Sequence, residues 1–139
     1  MKTEKVSVNL SPVELGQIDY LVERGLFDSR SDFIRSATRE SLKKDYAHEF
    51  QNFLATESDE PKSSWYVTIG VNSISKSEIY KIIAGGKKMK IHVIGLLNIS
   101  KDITANEIVQ AIESCKVYGK LAASPEVKAA LKLIEQGRN

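Results

Sequence analysis

The chain has one cysteine, three prolines, two histidines and one tryptophan in 139 residues, and the scarcity of these residues removes several classes of protein. A lone Cys115 excludes an intrachain disulfide and fits a reducing compartment rather than a disulfide-stapled scaffold. No apolar run approaches the roughly 20 residues needed to span a bilayer. The N-terminus, MKTEKVSVNL, has no uninterrupted apolar core of signal-peptide length, so the expected location is the cytoplasm. His48, His92 and Cys115 are scattered, and two imidazoles with one thiol do not make a metal coordination sphere. No nucleophile lies beside a base, and the acids sit mainly at helix starts or on polar faces. No catalytic set and no cofactor is therefore expected. A large charge of one sign is missing too, since the net charge is only +2.

What is present is an apolar fraction of 42% with 27% charged residues, the balance of a chain that folds. Residues 1–48 hold eight bases and eight acids, so that segment is neutral. Residues 49–60 add four acids and no base, and 61–139 carry twelve bases against six acids. Global charge does not announce a nucleic-acid binder, so any such role depends on local placement.

Ala55-Thr-Glu-Ser-Asp-Glu-Pro-Lys-Ser-Ser64 is polar, acid-rich and without apolar periodicity, the composition of a linker. It divides the chain into 1–54, 55–64 and 65–139. In the first part, Lys5-Val-Ser-Val-Asn-Leu10 alternates strictly. Val6, Val8 and Leu10 share one face, and Lys5, Ser7 and Asn9 share the other. Ser11-Pro12-Val13-Glu14 follows as a capping box with proline at the first helical position. Leu15, Ile18, Leu21 and Val22 then recur at helical spacing, and Gly25 stands where a left-handed cap belongs. Ser29-Arg30-Ser31-Asp32 opens a second helix, with Phe33, Ile34, Ala37, Ser41 and Leu42 on one face. Its pattern is expected to run on through Tyr46 and Phe50.

One short strand and two helices bury too little surface to stand alone, and such a strand has two open edges. A symmetric dimer with paired antiparallel strands is the remedy. The segments KVSVNLSPVEL and GLFDSRSDFIRSATRESLKK resemble the Arc/MetJ/CopG-type ribbon-helix-helix family over about a third of the chain. The resemblance implies a homodimer whose paired strands lie in the major groove of double-stranded DNA. It places Lys5, Ser7 and Asn9 at the base edges. It also implies a phosphate anchored at the second helix start by Ser29, Arg30 and Ser31. Taken singly, a polar strand face is more often just solvated, and a serine before a helix just a cap.

The second part repeats. Gly70, Gly95 and Gly119 each precede a serine (Ser75, Ser100, Ser124) by five residues, at intervals of 25 and 24. Each serine looks like an N-cap, followed by an acid and then by a helical pattern. The expected fold class is therefore α+β: a dimeric ribbon-helix-helix, then a small α/β module of three strand-helix repeats with parallel strands. A solenoid and a compact open sheet both fit. Gly85-Gly86-Lys87-Lys88 lacks the Lys-Ser/Thr pair of a phosphate loop and reads as a solvated turn. Lys87, Lys88 and Lys90 are candidates for additional DNA phosphate contacts.

The function these readings favour is a sequence-specific transcriptional repressor, not an enzyme, whose C-terminal module builds tetramers or larger assemblies. The alternative is an antitoxin-like or adaptor protein whose C-terminal module captures a partner protein or ligand.

Overall fold

The computed structural model describes residues 3–55 and 65–136, and the chain divides into two compact units, Met1–Phe50 and Gln51–Asn139. Apart from Ala55, the expected linker lies outside the described residues.

The first unit is built on helix α1 (Pro12–Glu23) and helix α2 (Arg30–Lys44). The capping box forms as expected: the Glu14 amide donates to Ser11 Oγ at 3.2 Å, and the Ser11 amide donates to Glu14 Oε1 at 3.1 Å. At the other end Gly25 takes φ +80°, a conformation open to a residue without a Cβ. The Leu26 amide then reaches Leu21 O and the Gly25 amide reaches Val22 O, both at 3.0 Å, which satisfies the last carbonyls of α1. The turn is pinned by Phe27, whose ring meets Phe33 edge-to-face at 4.9 Å.

Helix α2 does not run on through Tyr46 and Phe50. It stops at Lys44, and a separate helix α3 (Ala47–Leu54) begins with the Tyr46 carbonyl accepting from the Glu49 amide at 3.1 Å. The break falls in a polar Lys43-Lys44-Asp45 run, which has no apolar stripe to hold a continuous helix against a core. Residues 3–10 form neither helix nor strand in the single chain and are exposed throughout. A ladder needs a second strand, and nothing described in this unit supplies one.

The second unit is the expected set of repeats. Strands β1 (Trp65–Ile74), β2 (Met89–Ile99) and β3 (Ile112–Ala122) are parallel and lie in the order β1-β2-β3. Helices α4 (Lys76–Ala84), α5 (Ala105–Ala111) and α6 (Pro125–Gln136) follow them in turn. Ile91, Val93, Leu97 and Ile99 alternate onto one face of β2 and are buried. Ile79 of α4, Ile108 of α5 and Val127 of α6 close over that face in one apolar cluster. Each such side chain contributes about 1.5–3 kcal/mol by leaving water.

One expected cap is displaced. Ser75 caps α4 with a full capping box, and Ser124 Oγ accepts from the Val127 amide at 3.3 Å. Ser100 does not cap α5; Thr104 does, paired with Glu107. Ser100 instead binds back to β1, its amide donating to Ile74 O at 3.0 Å, and its carbonyl accepts from the Ile103 amide at 3.2 Å. The extra turn buries Ile103 completely. Lys76 steadies it by donating to Asp102 O at 2.9 Å. The delay leaves α5 short, and it passes into β3 between Ala111 and Ile112 with no loop between them.

Gly70, Gly95 and Gly119 stand side by side across the sheet, with φ of +139°, +131° and +120°. A Cβ on Gly95 would overlap the Gly70 carbonyl oxygen, and one on Gly119 would overlap that of Gly95. The regular spacing of glycines in the sequence is thus a row of close backbone approaches.

Candidate nucleic-acid interface

Lys5, Ser7 and Asn9 lie in the exposed segment directly before the α1 cap. The apolar residues between them are just as open, with Val6 79% and Val8 61% exposed. Leu10 contributes to an open groove of about 330 Å³ with Ile18, Leu21, Phe33 and Ile34. Val6 and Val8 are therefore open like the polar set, although only the polar set suits water.

Ser29, Arg30 and Ser31 are brought together at the start of α2. Ser29 Oγ accepts from the Asp32 amide at 3.0 Å, as an N-cap should. Among the described residues nothing accepts from the Arg30 and Ser31 amides, which point out of the helix end with its partial positive charge. Two carboxylates share the neighbourhood. Asp32 accepts from the Asp28 amide at 3.0 Å, and Asp19 holds Arg30 in a two-pronged pair, Nε to Oδ1 at 2.7 Å and the terminal nitrogen to Oδ2 at 2.8 Å. The guanidinium's hydrogen bond, reinforced by its charge, holds the Asp19 carboxyl below its ordinary pKa and raises that of Arg30. Asp19 escaped the sequence reading. It is eleven residues from Arg30, and only the angle at which α1 and α2 meet brings them together.

The three C-terminal lysines do not form one surface. Lys87 and Lys88 are exposed in the connection from α4 to β2. Lys90 is inside β2, 5% exposed, with its ammonium 5.0 Å from the centre of the Trp65 ring and 4.0 Å from Glu113. Cation–π attraction and a nearby carboxylate account for a lysine there. Burial in the strand removes Lys90 from any phosphate-binding set.

Among the described residues no group of three or more His, Cys, Asp or Glu could hold a metal ion. Cys115 is half-buried on β3, and burial, with the Glu135 charge, pushes its thiol up to about 11. No described helix is long and apolar enough to cross a membrane.

The family model described as the Ribbon-Helix-Helix transcriptional regulator family matches residues 1–128, and the chain belongs to that family. The match runs well beyond the N-terminal third, so the family pattern includes the β-sheet unit as well as the helix pair. No curated protein and no solved structure matches the chain.

Proposed function

We propose that the protein is a cytoplasmic repressor that binds double-stranded DNA as a homodimer. Its two 5–10 segments pair as an antiparallel ribbon in the major groove. The observation that carries this reading is the exposure of Val6 and Val8 beside the open groove at Leu10. Pairing with a second copy would turn that apolar set inward and leave Lys5, Ser7 and Asn9 facing the bases. Asn can bond adenine bidentately, Lys can donate to guanine, and Ser can serve either. The Arg30 and Ser31 amides receive a backbone phosphate, with Ser29 shaping the turn. Arg30 adds its own charge only by releasing Asp19. Lys87 and Lys88 remain available for further phosphate contacts. The C-terminal unit joins dimers into tetramers or larger assemblies on adjacent half-sites, which raises occupancy through effective concentration.

The test is Asn9→Ala, assayed on an operator selected from random-sequence DNA by the unsubstituted protein. Affinity should fall by about 1–3 kcal/mol, roughly five- to 150-fold, with the mass in light scattering unchanged. Unchanged sequence-specific binding would remove Asn9 from the reading set. A C-terminal part that folds only on a captured partner is the weaker reading. The buried cluster of Ile, Val and Leu supports a unit that folds unaided.

A further inference from the structure

The glycine row has a beginning and an end that differ. Gly95 and Gly119 each leave room for the carbonyl of the glycine on the preceding strand. Gly70 takes the same backbone conformation, yet no described atom lies within 4 Å of where its Cβ would be. At the far side of the sheet the Gly119 carbonyl has no following strand among the described residues. One edge thus carries an empty socket, and the other carries the group that fills such sockets twice within the module.

The edge itself is unguarded. Exposed edge strands are ordinarily blunted by charge, by proline or by brevity. β1 is ten residues long, WYVTIGVNSI, and contains no charged residue and no proline. Its outer backbone groups have no strand partner among the described residues.

We propose that the β1 edge is taken by β3 of a second copy, parallel and in the register of the glycine row, so that C-terminal units join head to tail. Gly70 then lies beside Gly119 of the second copy, Val71 beside its Lys120 and Ile69 beside its Tyr118. The joint repeats the relation that β2 already has to β1, so it needs no new geometry from the chain. A joint between two unlike edges does not close on itself after two copies, unlike a two-fold contact. It therefore links N-terminal dimers into a ring or an open row. The inference rests on the reading that the C-terminal unit assembles dimers, and adds which surfaces meet and in which direction.

Cysteine cross-linking of the full chain tests it, in a Cys115→Ala background. Val71 and Lys120 are both exposed, so V71C and K120C are mild changes. Neighbours in register on adjacent strands, about 4.8 Å apart, lie within disulfide reach. Under mild oxidation the V71C/K120C double variant should give a covalent ladder. A mixture of the two single variants should give one cross-linked pair, and either single variant alone should give none. Cross-linking of V71C alone or K120C alone overturns the head-to-tail joint in favour of a two-fold one. If the unsubstituted protein exceeds a dimer in light scattering while V71C and K120C never join, the joint is wrong and assembly stands. If that protein never exceeds a dimer, both fall.

Discussion

The two units solve the problem of burying apolar surface in different ways. Among its described residues the first has one buried apolar side chain, Ile18, while Val6, Val8, Val13, Leu26 and Leu42 are open to water. The second buries a continuous cluster from Ile74 to Leu131 under three helices. Local structure is equally well specified in both, with a serine or threonine cap at the start of each principal helix. Good capping therefore does not make a unit self-sufficient. The C-terminal unit closes a core on one face of its sheet and leaves Ile69, Val71 and Tyr118 exposed on the other, whereas the N-terminal unit leaves most of its apolar side chains open.

The sharpest way to break this contrast is a cavity in the complete unit. Ile108→Ala empties a site with no exposure and should cost about 2–5 kcal/mol. Chemical denaturation should show the loss in the C-terminal transition alone, with binding to a single isolated operator site, which needs no assembly, retained. If single-site binding fails in parallel with that transition, the units are not independent.

A smaller effect tests the displaced cap. Thr104→Ala should destabilise the C-terminal unit by about 1 kcal/mol, the usual cost of losing an N-cap. Ser100→Ala should cost less, because the bonds from Ser100 to Ile74 and Ile103 are made by its backbone and only an exposed bond from its hydroxyl to the Asp102 carboxylate is lost. Thermal unfolding of the two variants side by side would reverse the assignment if Ser100→Ala proved the more damaging.

The smallest effect is on the N-terminal side and depends on pH. Asp19 has its pKa depressed in the fold, so its contribution is present above the ordinary carboxylate value of about 4 and is lost as pH falls through the lowered one. The pair is exposed, so the effect is modest and salt-sensitive. The unfolding midpoint of the N-terminal transition should decline from pH 5 to pH 3, and Asp19→Asn should flatten that decline. An unchanged slope would mean that Arg30 does not depend on Asp19.

The parallel order of the strands and the starts of α1, α2, α4 and α6 were legible because each rests on local chemistry. A capping serine, an early acid and an apolar stripe can be seen within a dozen residues. The start of α5 was not, because Ser100 and Thr104 are both plausible caps. The choice depends on burying Ile103 and on a bond to Ile74 across the sheet. Likewise Arg30 and Lys90 read as free cations, since Asp19 and Trp65 approach them only after folding. At the candidate interface, alternation separates Lys5, Ser7 and Asn9 from Val6, Val8 and Leu10, and only the family resemblance gives the polar set a role. The exposure of Val6 and Val8 in one chain is what supports the proposed second copy.

The direct passage from α5 into β3 has a mechanical consequence. A loop lets its two flanking elements open at different times, and Gly85–Lys88 gives that freedom to α4 and β2. Ala111 and Ile112 have no such slack, so β3 cannot peel from the sheet without tugging on the last turn of α5. The amides of α5 and β3 should exchange with deuterium as one cooperative block, while β1 and α4 open on their own schedule.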